Sequence, residues 1–328
     1  MAQERLIWLD IAKAICIVLV VIGHFMPEFS TPPNWWVTTR NVIYSFHMPF
    51  FIFASGIAYV MSRKNDYFQF LKKKFFRLVV PYFTVSIIII GAKVVASNLL
   101  YVENPKGWQS LLKMFYYPEA GFFLWFIWVL ILAFLIVPLF KSRVSRLALL
   151  VVSVALYFLP IELPSIFCLD KFKEFFCYFM LGVACMDYKP KTLMKYNFNP
   201  AYIITVFAIG YYLVSLGNAA SLPFTSMLLA IVGIFMIISV AKFIETKRVC
   251  INAFVKISAA SYVIYLLHTT FMGMAKAVIT KVPTLMNISN DFIFTIDALF
   301  VVACGVTVPL LLYKVFKKSK ATRFLFGL

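Results

Sequence analysis

The sequence predicts an all-α polytopic membrane protein with about ten transmembrane helices and both termini in the cytoplasm. Of the 328 residues, 63% are hydrophobic and only 13% are charged, whereas soluble domains are apolar in about half of their residues. Apolar runs long enough to cross a bilayer follow one another along the chain. Basic residues gather in alternate gaps between these runs, as the positive-inside rule requires.

The apolar runs give the predicted elements in order, since a span needs about 20 apolar residues. The ten candidates are Leu6–Met26, Val42–Met61, Leu78–Leu100, Gly121–Phe140, Leu147–Pro160, Phe175–Met186, Pro200–Leu216, Pro223–Phe243, Ile257–Ile279 and Asp291–Phe316. The fifth and sixth are short and leave a tilted, broken or partly re-entrant course open. The first is predicted to be an uncleaved helix rather than a signal peptide, because Asp10 and Lys13 interrupt its apolar core.

Charge fixes the predicted orientation and domain organisation. With the N-terminus inside, most of the 31 basic residues fall on the cytoplasmic side, including the run from Lys72 to Arg77 and the tail from Lys314 to Arg323. The net charge of +18 therefore indicates topology and not nucleic-acid binding. No linker or repeat divides the chain, so residues 1–328 are predicted to form a single transmembrane domain without an appended soluble domain.

The first predicted helix contains three ionisable residues, Asp10, Lys13 and His24. Lys13 and His24 share one helix face about 16 Å apart along the axis, and Asp10 is close enough to Lys13 to pair with it. Such residues in a span are costly and indicate function or a specific partner. The alternatives are a snorkelling Asp10–Lys13 pair at the inner interface and an interfacial His24 that faces the headgroups.

The other two histidines also lie in apolar runs. His47 lies near the outer end of the return span, so it is predicted to lie near the outer leaflet at the depth of His24 and to face it. His268 follows Tyr265 by three residues in the ninth span, and both could line the same cavity; a satisfied core histidine is the alternative for His268. No carboxylate or thiolate stands at ligand spacing with these histidines, so no metal site is predicted.

Together these motifs resemble the integral-membrane acyltransferase-3 family over essentially the whole chain. The family's hallmark is a basic residue followed eleven positions later by histidine, and this sequence has the lysine form. Lys74 takes the first place of its Arg-x-x-Arg element, and lysine binds phosphate as a point charge. The matching residues are Leu9-Asp10-Ile11-Ala12-Lys13, His24, Phe46-His47-Met48-Pro49-Phe50-Phe51, Ser55-Gly56, Lys74-Phe75-Phe76-Arg77, Leu124-Trp125-Phe126 and Ser261 to His268.

The resemblance implies an enzyme of the plasma membrane, the inner membrane in a bacterium. It would move an acyl group from cytoplasmic acyl-CoA, usually acetyl-CoA, to a hydroxyl of an extracytoplasmic glycan or lipid-linked sugar. Lys73, Lys74 and Arg77 would then bind the phosphates of CoA, and the alternative for this cluster is a positive-inside signal alone. Ser55 and Gly56 are expected to permit close helix packing rather than to act chemically.

The same resemblance suggests roles for the remaining residues. His24 would remove the proton of the acceptor hydroxyl as a general base, and a covalent acyl-histidine is the other possibility. His47 would orient His24 or donate to the thioester oxygen. Lys13 would pair with a CoA phosphate or fix the helix through Asp10, and Trp125 would line the cavity.

Two other classes of function are compatible with the spans and the charge pattern. An exporter or flippase of a glycan or lipid-linked sugar would show the same topology without acyl-transfer chemistry. It would not require a histidine at a fixed distance from a lysine, so replacement of His24 discriminates between the two. A membrane sensor or assembly scaffold is the third class.

Overall fold

The computed structural model describes residues 5–27, 31–62, 66–97, 105–188, 199–216, 222–279 and 291–328. Within these ranges the regular structure is helical, and short 3-10 turns flank α7 and precede α9. The helices are α1 (Ile7–His24), α2 (Asn34–Tyr44), α3 (His47–Ser62), α4 (Tyr67–Lys74), α5 (Val80–Ala96), α6 (Ser110–Lys113), α7 (Trp125–Ile136), α8 (Arg143–Phe158), α9 (Leu169–Tyr188), α10 (Pro200–Leu216), α11 (Pro223–Lys247), α12 (Ile251–Ile279), α13 (Asp291–Phe316) and α14 (Lys320–Leu325).

Seven helical stretches of the described chain are long and apolar enough to cross a bilayer. They are Ile7–His24, Asn34–Ser62, Tyr67–Ala96, Phe122–Leu139, Pro223–Lys247, Ile251–Ile279 and Asp291–Phe316. The other three predicted segments overlap α8, α9 and α10, which are not among the seven. Helices α8 and α10 are shorter, with 16 and 17 residues, and α9 includes several charged residues. The chain is thus an α-helical, multi-pass membrane protein, and the count of ten spans stays a prediction. Residues 98–100, which end the third predicted span, lie outside the described residues.

The chain divides into two compact units, each assembled from three separate stretches. The first unit comprises Met1–Cys16, Tyr44–Lys74 and Phe126–Ser258. The second unit comprises Ile17–Ile43, Phe75–Trp125 and Ala259–Leu328. Two of the boundaries fall well inside α1 and α12, so each of these two helices contributes one end to each unit.

In the first unit, α3 and α9 cross at a pair of glycines. A Cβ on Gly56 would overlap the backbone of Phe179, and a Cβ on Gly182 would overlap the backbone of Phe53. Small residues at both positions let the two backbones meet, which is the usual device for close packing of membrane helices. The packing role predicted for Gly56 is confirmed.

The second unit is assembled around the C-terminal half of α1. Gly305 of α13 meets the side chains of Val21 and Met272, so α1, α12 and α13 are in contact there. The rings of Trp36 and Phe294 lie 5.6 Å from the ring of Phe25, measured between centroids, which adds α2. Three helices, α2, α12 and α13, therefore surround the C-terminal end of α1.

A π-helical segment, Phe75–Val79, joins α4 to α5. Pro81 stands at the start of α5 and has no N–H to donate to the carbonyl of Arg77, four residues earlier. The missing hydrogen bond accounts for the local widening of the helix, and such π segments are frequent at functional sites. Gly327, with a φ of +67°, brings the C-terminal end of the chain against the Arg77 carbonyl and Pro81.

Candidate active site

The C-terminal end of α1 holds the half-buried side chain of His24. Nδ1 of His24 lies 2.8 Å from the carbonyl oxygen of Val20, one turn earlier in the helix. A carbonyl oxygen only accepts, so this hydrogen bond requires the proton on Nδ1. The neutral ring then has its basic lone pair on Nε2, which is the state a general base needs before it takes a proton.

His268 lies beside His24, with 4.9 Å between the ring centroids and the rings edge to face. Its Nδ1 is 2.8 Å from the carbonyl oxygen of Tyr265 and 3.1 Å from that of Ile264. By the same argument, Nδ1 of His268 carries the proton and Nε2 is an acceptor. The side chain is fully buried, and Nε2 has no hydrogen-bond partner among the described residues.

Phe123 and Tyr265 form one wall of this site. The Phe123 ring centroid lies 5.3 Å from that of His268 and 6.5 Å from that of His24. The Tyr265 hydroxyl donates to the Phe123 carbonyl at 2.8 Å, which fixes the 3-10 turn Phe122–Leu124 to α12. Trp125, which follows that turn, is buried at the start of α7. The histidine pair thus sits in an apolar setting, where hydrogen bonds and charges act more strongly than in water.

Two side chains of α2 hold the backbone on either side of His24. Arg40 donates its Nε–H to the carbonyl of Gly23 at 2.8 Å. Trp36 donates its Nε1–H to the carbonyl of Phe25 at 3.2 Å. The last carbonyls of a helix have no intrahelical donor, so the Arg40 bond satisfies one of them. Together the two bonds hold the backbone on both sides of His24.

The opposite end of α1 contains an ion-pair network centred on Asp10, which is buried. Its carboxylate accepts from Arg5 Nε at 2.6 Å and from the Ser258 hydroxyl at 2.7 Å, and it lies 3.0 Å from Lys13 Nζ. The Asp10–Lys13 pairing suggested by the sequence is therefore present. The hydrogen bond from Ser258 also links α1 to α12. Both carboxylate oxygens of Asp10 thus have partners, and the catalytic role predicted for Asp10 stays a prediction.

The basic residues at the start of the third span differ in their surroundings. Lys73 and Arg77 are exposed. Lys74 places its Nζ 4.1 Å from the centroid of the Phe134 ring and 5.2 Å from that of Phe70, which is cation–π geometry. Lys73 and Arg77 can therefore meet an anion in solvent directly, whereas the Lys74 ammonium group is already held over aromatic rings.

His47 is the first residue of α3 and is almost fully buried. Its ring packs edge to face against Tyr44, with 4.9 Å between centroids. His47 belongs to the first unit and His24 to the second. The predicted face-to-face arrangement of His24 and His47 stays a prediction.

A family model for the acyltransferase domain of type 3 matches residues 6–314. The chain belongs to the acyltransferase-3 family. Nodulation protein NolL of Sinorhizobium fredii (strain NBRC 101917 / NGR234) is 26% identical over 202 residues, which are 60% of this chain and 54% of NolL. The chain thus aligns with only about half the length of that relative. No solved structure matches it significantly.

Within this acyltransferase-3 chain, the structure brings together some of the residues singled out from the sequence and adds others. His24, His268 and Tyr265 share one site, whereas Asp10 and Lys13 form a separate network in the first unit. Sequence reasoning missed Arg40 and Trp36. The sequence does hold a signal for Arg40, because it is the one basic residue between the first two predicted spans. That gap lies on the predicted outer side, where the sequence has few basic residues.

Proposed function

We propose that this protein is a membrane O-acyltransferase that moves an acetyl group from cytoplasmic acetyl-CoA to a hydroxyl of an extracytoplasmic glycan or lipid-linked sugar. Membership of the acyltransferase-3 family supports the reaction class. The observation that carries the assignment to a residue is the hydrogen bond from His24 Nδ1 to Val20. It leaves Nε2 as the basic atom at the end of a helix that is long and apolar enough to cross the bilayer.

In the proposed reaction, His24 Nε2 takes the proton of the acceptor hydroxyl as its oxygen attacks the thioester carbonyl. The C–S bond then breaks, and the thiolate of CoA receives the proton from His24. Donors near the thioester oxygen would stabilise the developing negative charge, and His47 is our candidate for that role. Each cycle returns His24 to its starting state, so no other acid or base is required for the proton balance.

The donor is proposed to approach from the cytoplasm, the side on which the charge pattern predicts both termini. Lys73 and Arg77 are exposed at the start of the third span and would bind the phosphates of CoA as cations. Lys74 contributes positive charge from its place over the rings of Phe70 and Phe134. The acceptor would approach His24 from the opposite side of the membrane, as the direction of α1 requires in this topology.

The proposal is tested with inside-out membrane vesicles that contain the protein and receive radiolabelled acetyl-CoA. We expect label to enter the glycan or glycolipid fraction, and His24→Ala to abolish its transfer. Gly273→Ala is a matched control on α12, because open space surrounds that position, and it should transfer at the wild-type rate. Transfer by His24→Ala at the wild-type rate would exclude His24 as the base. Movement of the sugar across the membrane without any labelling would favour an exporter.

A further inference from the structure

The Nε2 atom of His268 is an unsatisfied hydrogen-bond acceptor in the interior of the second unit. The side chain has no exposed surface, and its Nδ1–H is already bound to the carbonyls of Tyr265 and Ile264. Within the described ranges, no donor reaches Nε2. A buried polar atom without a partner costs free energy. We therefore expect Nε2 of His268 to receive a hydrogen bond from a donor that forms during the reaction.

Protonated His24 is the donor best placed to reach this atom. Its ring centroid is 4.9 Å from that of His268, with the rings edge to face. At this separation a turn of the His24 ring toward His268 brings the two Nε2 atoms to hydrogen-bond distance. The other neighbour on the wall is the Phe123 ring, which has no donor, and the Tyr265 hydroxyl donates to the Phe123 carbonyl. His24 gains an Nε2–H only when it has taken a proton, which happens during the proposed reaction.

We propose that His268 is a positioning residue whose Nε2 accepts a hydrogen bond from protonated His24. The inference rests on the proposed function, in which His24 is the general base. The hydroxyl O–H bond breaks and the His24 Nε2–H bond forms. The ring then turns this N–H from the substrate oxygen to His268 Nε2. When the C–S bond breaks, the same proton leaves His24 for the thiolate, and both rings return to their neutral states.

The pair takes up one further proton, on Nε2 of His24, and not a second one on Nε2 of His268. Both rings donate Nδ1–H to carbonyl oxygens, so each offers only Nε2 to the other. Two protonated rings this close would repel each other, because like charges in a low-dielectric interior interact strongly. His268 therefore acts as a neutral acceptor that stabilises the charged form of His24, which raises kcat without contributing to the binding of acetyl-CoA.

Variants of His268 separate this role from simple packing. His268→Phe and His268→Leu fill the space without an acceptor, whereas His268→Gln places an amide oxygen near the position of Nε2. For Phe and Leu we expect kcat to fall about tenfold or more, as for a lost hydrogen bond to a charged partner. The KM for acetyl-CoA should stay within about twofold, since a lost interaction that exists only in the transition state lowers kcat and not binding. His268→Gln should retain most of the wild-type kcat.

Steady-state kinetics on purified variants, with thermal denaturation in detergent to establish folding, gives the result. Folded Phe and Leu variants with wild-type kcat would overturn the proposal, as would a Gln variant as impaired as Leu. Absence of acetyl transfer by the wild-type protein would instead overturn the proposed function, which makes the two failures distinguishable.

Discussion

Arg40 of α2 donates its Nε–H to the carbonyl oxygen of Gly23 at 2.8 Å, directly before the His24 residue that ends α1. A cationic donor at the C-terminal end of a helix satisfies a free carbonyl and interacts favourably with the helix dipole. The residue that positions His24 thus comes from a different helix, and the bond links the orientation of the candidate base to the docking of α2.

Replacing Arg40 with glutamine should therefore slow the reaction more than it weakens donor binding. A hydrogen bond from a charged donor contributes about 1.5–3 kcal/mol, so we expect kcat to fall by about tenfold or more with little change in the KM for acetyl-CoA. Arg143→Gln is the matched control, because Arg143 is exposed at the start of α8. An Arg40→Gln variant with unaltered kcat would show that the Trp36–Phe25 hydrogen bond alone positions the helix end.

The crossing of α3 and α9 gives a prediction on stability. Gly56→Ala or Gly182→Ala would drive a Cβ into the backbone of the facing helix, and we expect a loss of about 1–3 kcal/mol or more in the free energy of unfolding, as for an overpacked core. Gly91→Ala and Gly273→Ala meet no atom within 4 Å, and alanine favours a helix over glycine by up to about 1 kcal/mol. Those two controls should be neutral or stabilising, as measured by thermal denaturation in detergent.

A buried ion pair between α8 and α9 gives a second prediction on stability. The Arg146 and Asp187 side chains are only 3% and 4% exposed, their charged atoms are 2.5 Å apart, and Arg146 also donates to the carbonyls of Phe140 and Lys141. Removing one partner leaves a buried charge unpaired, so Asp187→Asn should cost about 3–5 kcal/mol. Glu174→Gln breaks a more exposed pair with Lys171 and should cost less than about 1 kcal/mol. Equal losses in the unfolding free energy would contradict the prediction.

Much of this architecture could be predicted from sequence because the signals are local. Apolar runs and the charges between them place the helices, and a helix overlaps every predicted segment. The exact ends of α8 and α9 were missed, because these helices continue into charged residues that a hydropathy pattern excludes, such as Arg143 and Asp187. The pairing of Asp10 with Lys13 also follows from their spacing on one helix turn.

The residue that packs against His24 could not be predicted from the sequence, because it depends on which helices pack together. Depth in the membrane favoured His47, but depth does not specify the angular position of a helix around α1. The structure puts His268 of α12 beside His24, although 244 residues of sequence separate them. The hydrogen bonds from Arg40 and Trp36 could not be predicted for the same reason, because their acceptors are backbone carbonyls, which no sequence motif identifies.

The basic residues at the π segment provide the last prediction, on donor binding. Lys73 and Arg77 are exposed, so Lys73→Gln and Arg77→Gln should raise the KM for acetyl-CoA and leave kcat nearly unchanged, as expected when uniform binding is lost. Each effect should shrink as ionic strength rises, because salt screens exposed charges. Lys74 lies over the rings of Phe70 and Phe134, so Lys74→Gln should lower the melting temperature as well. Competition by CoA, titrated at low and high salt, measures donor binding in all three variants, and thermal denaturation measures the melting temperature of Lys74→Gln. An unchanged CoA affinity in Lys73→Gln and Arg77→Gln would mean that the two charges specify topology alone.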